Sequence, residues 1–109
     1  LGPDGNFWFT ENGVDRIGRI TPAGVLKEFA LARDSRPIGI AAGPDGNVWF
    51  TEFAAGKIGR ITPTGEITEF AITTPMAQPV GIVAGPDGNM WFGIQANRIG
   101  RLDVKAAAK

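Results

Sequence analysis

The 109-residue sequence contains no cysteine and no histidine. The first absence excludes a disulfide framework, a thiolate nucleophile and a cysteine-bound metal, and leaves the redox compartment unread. The second removes the side chain that most often serves as general base near neutral pH and as metal ligand. Excess charge of one sign is also lacking, since eleven Lys and Arg balance eleven Asp and Glu. Without a like-charge run there is no electrostatic footprint for nucleic acid or an anionic membrane surface, and neither is expected as a partner. No apolar stretch approaches the roughly 20 residues of a membrane span. The chain opens at Leu1 without a methionine or signal-like segment. It reads as a processed piece, and its localisation is not legible.

With 43% hydrophobic and 20% charged residues, the composition is that of one ordinary globular unit covering 1–109. Its organisation is repetitive. GPDGN occurs at Gly2–Asn6, Gly43–Asn47 and Gly85–Asn89, spacings of 41 and 42 residues. Each copy runs into Trp-Phe (Trp8-Phe9, Trp49-Phe50, Trp91-Phe92) and then Ile-Gly-Arg (Ile17–Arg19, Ile58–Arg60, Ile99–Arg101). The first two copies continue through ITP-x-G (Ile20–Gly24, Ile61–Gly65) to Glu-Phe-Ala (Glu28–Ala30, Glu69–Ala71). The units are 2–42, 43–84 and 85–103, with a tail at 104–109.

In the complete unit, four β-rich runs are separated by turn chemistry: Ile38–Ala42 (with a counterpart at Val80–Ala84), Val48–Glu52, Lys57–Thr62 and Glu66–Ile72. Pro44-Asp45-Gly46 sets proline at the second turn position and glycine where a left-handed residue is wanted, so the first link is a tight hairpin. Thr62–Gly65 repeats that logic, and Phe53–Gly56 makes a looser loop. Pairing Glu52 with Lys57 sets Phe50 opposite Gly59; the same register pairs Glu11 with Arg16 and Phe9 with Gly18. The rings are expected to cover strand glycines, and the opposite charges to support each other across the hairpin. Val48 and Phe50 on one side and Trp49 on the other leave no clean polar face, as in a sheet sandwiched between two others.

A period near 42 with four strands predicts an all-β fold of four-stranded antiparallel β-propeller blades, incomplete as a ring in a single chain. The tail 105–109 is a helix former too short to nucleate alone. In order, the strands give three, four and three per unit, so either copies of the chain associate as a homo-oligomer or the missing blades of a parent chain complete the ring. The third unit departs from the others: it carries Gly93-Ile94 in place of Thr-Glu, and Asp103-Val104-Lys105 in place of the TP-x-G turn.

The string GPDGN-x-WFTE, then KIGRITP-x-G-x-ITEF and a P-x-GI lead-in, resembles the virginiamycin B lyase (streptogramin lyase) family from Gly2 to about Leu102. The resemblance implies a seven-bladed propeller of which this sequence is barely a third. It also implies magnesium-assisted opening of a cyclic depsipeptide antibiotic by elimination, with a histidine base and carboxylates holding the metal. The metal would stabilise the enolate while the base takes an α-proton. In that family the histidine follows the WFTE glutamate by two positions; here Gly13 and Ala54 stand there. Glu11 and Glu52 occupy the glutamate position and are the metal candidates, although recurrence in two units favours a hairpin role. No cofactor is expected for this chain alone; magnesium belongs to the lyase reading.

The remaining repeated residues read as structural. Asp4, Asp45 and Asp87 are turn acceptors rather than metal ligands. Arg19, Arg60 and Arg101 pair within or between blades rather than converging on an anion, and Trp8, Trp49 and Trp91 fill the inter-blade core rather than forming a cage. Three functions follow in order: a catalytically silent blade set that self-associates, a segment of a lyase-like enzyme, and a propeller binding a small ligand or carbohydrate at one mouth.

Overall fold

The computed structural model describes residues 2, 4–72, 78–95 and 98–104. They form ten strands: β1 (Phe7–Glu11), β2 (Arg16–Ile20), β3 (Leu26–Ala30), β4 (Pro37–Ala42), β5 (Val48–Glu52), β6 (Lys57–Ile61), β7 (Ile67–Ala71), β8 (Pro79–Ala84), β9 (Met90–Ile94) and β10 (Arg98–Leu102). The strands make three antiparallel sheets with neighbours in chain order: β1-β2-β3, β4-β5-β6-β7 and β8-β9-β10. The strands expected from turn chemistry are present with ends moved by a residue, and the architecture is that of stacked blades. The helix-forming tail 105–109 lies outside the described residues.

The turns work as their residues require. Gly5, Gly46 and Gly88 take φ near +80°, a conformation that a side chain resists and glycine accepts freely. Each GPDGN turn is closed by backbone bonds, as in Gly43 N–H to the Asn47 carbonyl at 2.9 Å. Between β5 and β6 the register is Glu52 opposite Lys57 and Phe50 opposite Gly59; between β1 and β2 it is Glu11 opposite Arg16 and Phe9 opposite Gly18. A Cβ on Gly59 would run into the Phe50 ring, and one on Gly18 into Phe9. The glycines are therefore seats for the rings.

One feature was not visible in the runs of residues. The lead strands β4 and β8 are bulged between Pro37 and Ile40 and between Pro79 and Ile82. Gly39 sits in the first bulge, where a Cβ would collide with the carbonyl of Val80. Successive lead strands approach backbone to backbone, which only glycine permits.

The sheets stack face on face, and the core lies in the two seams. Trp8 and Ile17 of the first sheet pack on Val48, Phe50 and Ile61 of the second. Trp49 and Ile58 of the second pack on Met90, Phe92 and Ile94 of the third. Val104 joins the second seam, 4% exposed, and donates its N–H to Asn89 Oδ1 at 3.3 Å; this part of the expected tail belongs to the packed body. Apolar burial of this kind contributes roughly 25 cal/mol per Å² removed from water.

Candidate functional site

The two metal candidates sit in different surroundings. Glu52 ends β5, opposite Pro37 on one side and Lys57 on the other, in the seam between the first and second sheets. It is 0% exposed, and Ser35 in the loop leading to β4 is equally buried beside it. Glu11 holds the same place on β1, but on the outer face of the first sheet, and it is only half-buried. The structure does not bring the two together.

Each instead meets a glutamate from the fourth strand position. Glu69 on β7 stands opposite Gly59, and Gly59 stands opposite Phe50. Because Gly59 has no side chain, the Glu69 carboxyl reaches diagonally to that of Glu52. Burial first, and then the hydrogen bond and the charge of Glu69, push Glu52 up to about 8, against smaller opposing contributions from Ser35 and Lys57. The Glu28 carboxyl beside Glu11, then burial, raises Glu11 as well. No N–H group donates to either oxygen of Glu52 or to Oε1 of Glu11. A carboxylate brought beside another carboxylate ionises less readily, which adds to the cost of burial.

The opposite charges stand across each hairpin as expected, while the ion pairs themselves run to the neighbouring strand. Arg16 Nη1 pairs with Glu28 Oε1 at 3.5 Å and Lys57 Nζ with Glu69 Oε1 at 3.9 Å. In each case the cation lies against the more exposed of the two glutamates. Glu28 and Glu69 were visible as parts of the repeated Glu-Phe-Ala, but only the register of the fourth strand sets them beside the motif glutamates. In the third sheet Ile94 replaces the glutamate and is buried, 8% exposed.

A hard cation such as magnesium takes oxygen ligands and retains several waters. The orphaned oxygens of Glu52 have the right chemistry, but the surroundings do not. Glu52 is sealed from solvent, Lys57 lies against Glu69, and no group of three or more acidic side chains gathers among the described residues. The pair fits a proton, not a hydrated magnesium ion. Beyond it, Ala54 gives its N–H to the Ser35 carbonyl at 3.2 Å and presents only a methyl group.

The other repeated residues form a framework. Trp49 Nε1 donates to Asp45 Oδ1 at 3.0 Å, and Asn47 donates to the same carboxylate from its backbone N at 3.2 Å and from Nδ2 at 3.1 Å. Burial raises Asp45, but these donors outweigh it and hold the group below its usual value; the same arrangement holds Asp4 and Asp87 low. The tryptophan indole as a turn partner was not read from sequence. Arg19 lies 5.5 Å from the centroids of Trp8 and Phe29 and donates across the seam to the Pro63 carbonyl at 2.7 Å. Arg60 stacks likewise on Trp49 and Phe70 and lies 3.8 Å from Asp45. The arginines pair within and between blades, and Trp8 and Trp49 fill the seam that Trp8 opens and the next one.

The strand pattern, turn chemistry and seams recur in known proteins. The family model described as the virginiamycin B lyase family matches residues 1–109. The chain belongs to the virginiamycin B lyase family. It is similar to virginiamycin B lyase from Staphylococcus aureus, at 50% identity and a TM-score of 0.90 over 94% of this chain and 36% of that one. A catalytically inactive variant of that lyase, solved with quinupristin, matches with the same figures. A streptogramin B lyase structure matches at 44% identity and a TM-score of 0.83, over 94% of this chain and 38% of that one. Among curated proteins, none matches. The chain thus spans little more than a third of the lyases it resembles, and its three sheets are blades of that propeller type.

Proposed function

We propose that this chain is a catalytically silent set of virginiamycin B lyase-type blades whose role is structural, and that it self-associates to complete a propeller. The observation that carries the reading is the state of the motif position. Glu52 is sealed from solvent, with burial and the neighbouring Glu69 pushing it up to about 8, and the residue two places on is Ala54 rather than a proton acceptor. An elimination requires a group that removes a proton next to the carbonyl. The sequence holds no histidine, and Glu52 is sealed in the seam, so neither supplies such a group.

The test is an assay of the purified chain for ring opening of a streptogramin B-type depsipeptide such as quinupristin, with and without magnesium. No turnover above buffer is expected in either condition. Magnesium-dependent turnover would overturn catalytic silence.

A second reading is that these blades form one segment of a lyase whose base and metal ligands lie on other blades. Family membership and the coverage of about a third favour it. Joining the missing blades of a related lyase to this chain, and recovering magnesium-dependent turnover, would support that reading.

A further inference from the structure

Asn12 is the one asparagine of the sequence that glycine follows. It opens the single 3-10 turn Asn12–Val14 between β1 and β2, and both Asn12 and Gly13 are exposed. Exposure belongs to the loop position, since Ala54, the counterpart of Gly13, is exposed as well although a sheet stands on either side of it. The corresponding pairs in the other units are Phe53-Ala54 and Gln95-Ala96, so the Asn-Gly pair is confined to the first. An asparagine amide is an electrophile, and the next backbone nitrogen reaches it in a five-membered ring when no side chain crowds the approach. Gly13 carries none, and among the described residues nothing lies within 4 Å of where its Cβ would stand.

We propose that Asn12 and Gly13 form a site of spontaneous modification, at which the side-chain amide is exchanged for a carboxylate through a cyclic imide and a tie across the first seam is lost. The backbone nitrogen of Gly13 gives its proton to hydroxide or buffer base and attacks Cγ of Asn12. The bond from Cγ to Nδ2 breaks, and that nitrogen takes up a proton and leaves as ammonia. Water then opens the imide at either carbonyl, leaving aspartate, or isoaspartate with the backbone routed through the former side chain. No oxidant or reductant enters.

The amide spans the seam. Asn12 Nδ2 donates to the Pro37 carbonyl at 3.2 Å, and Thr10, two residues earlier, donates to the Ile38 carbonyl at 3.0 Å. Together they fasten the first sheet to consecutive carbonyls of β4. A carboxylate is an acceptor only and repels the Pro37 oxygen. In the second seam Thr51 makes the corresponding bond to Val80, and Phe53, in the place of the asparagine, has no side-chain donor. Modification leaves the first seam with the threonine tie alone.

The Asp-Gly pairs Asp4-Gly5, Asp45-Gly46 and Asp87-Gly88 offer the same ring but are held out of it. Each carboxylate accepts from the indole four residues on, and from the backbone N and Nδ2 of the asparagine two residues on, at 2.9–3.3 Å. These donors keep it pinned and ionised, and an ionised carboxylate is a poor electrophile.

The test incubates the whole chain, folded and in parallel unfolded in urea, at one mildly alkaline pH until half of the unfolded material has converted. Peptide mass spectrometry reads the exchange of NH2 for OH at residue 12, and a protein isoaspartate methyltransferase reads the isoaspartate. The folded chain is expected to convert within about tenfold of the unfolded rate, to yield both products and to leave the Asp-Gly pairs intact. Gly13→Ala is expected to slow conversion by about tenfold or more; alanine already stands at that place in the second unit. Asn12→Gln, whose ring is one atom larger, replaces it if the wild-type circular dichroism is lost. Asn12→Asp, one of the two products, is expected to show a lower urea midpoint than wild type. Slower conversion of the folded chain, or conversion centred on an Asp-Gly pair, overturns the site. A variant that converts at the wild-type rate overturns the ring mechanism, and an unchanged midpoint in Asn12→Asp overturns the loss of the tie.

Discussion

The hydroxyl of Thr51 donates to the carbonyl of Val80 at 2.8 Å while accepting the N–H of Gly39 at 2.9 Å. One buried side chain thereby ties the bulged lead strand of its own sheet to the lead strand of the next. Valine has nearly the same shape and neither function, so Thr51→Val leaves a donor and an acceptor without partners. The expected loss is about 2–3 kcal/mol, read as a lower urea midpoint at fixed protein concentration. Thr10→Val, at a more exposed bond, should cost less than half of that.

Gly59 and Gly18 both lie under a phenylalanine ring, but only one ring is enclosed. Phe50 is 0% exposed and Phe9 36%. Gly59→Ala drives a methyl group into a ring that has nowhere to go, and is expected to destabilise by about 1–3 kcal/mol. Gly18→Ala lets Phe9 swing outward and should cost well under 1 kcal/mol by the same overpacking argument. Urea unfolding of the two variants side by side checks the order; equal losses would mean that the seam does not hold Phe50 in place.

The acid pair makes stability fall on the alkaline side. Glu52 titrates near 8 in the folded state against an ordinary value of 4.5, so between those values the folded chain holds a proton that the unfolded chain has released. Stability is then full below the lower value and declines as pH rises through the upper one, at about 1.4 kcal/mol per pH unit at the steepest. Glu52→Gln, which cannot ionise, should flatten this decline and leave the variant more stable than wild type above pH 8. Asp45 acts in the opposite sense. Its folded value lies below the ordinary one, so its contribution is present above about pH 4 and is lost as pH falls through the folded value. Urea midpoints from pH 3 to 9 should therefore pass through a maximum in mildly acidic solution.

The loop that seals Glu52 is clamped by Asp15. Its carboxylate accepts the N–H of Asp34 at 2.9 Å and of Arg36 at 2.8 Å, and both of those residues have positive φ, 63° and 51°. Left-handed backbone at non-glycine residues is held only when its surroundings impose it. Asp15→Ala is expected to lower stability by about 1–3 kcal/mol and to speed amide exchange in residues 31–36. In the second unit Gly56 takes the place of Asp15 and keeps only the backbone bond to Ile72 N–H, so the clamp belongs to the first loop.

Much of this was legible because the fold is local. The repeated GPDGN turn, the glycines under aromatic rings and the registers of β1 with β2 and β5 with β6 follow from short-range chemistry, since each hairpin is closed by its own residues. The resemblance in those same strings placed the chain in the lyase family before any coordinates. The Glu52–Glu69 contact was harder to see. It joins positions 17 residues apart through the register of β6 with β7, and cross-strand charge matching alone pointed Glu52 to Lys57.

The sequence by itself determined the unit: four short strands, the turns between them, the alternation of buried rings, and the absence of any histidine to act as base. Tertiary structure decided which of two equivalent glutamates is sealed. Glu11 and Glu52 share a motif and a hairpin, but a neighbouring sheet and the loop through Ser35 cover only Glu52. Burial is a property of what stacks on a strand, and stacking cannot be read from a repeat whose copies look alike. For the same reason the bulges at Gly39 and Gly81 emerged only when the sheets were set side by side.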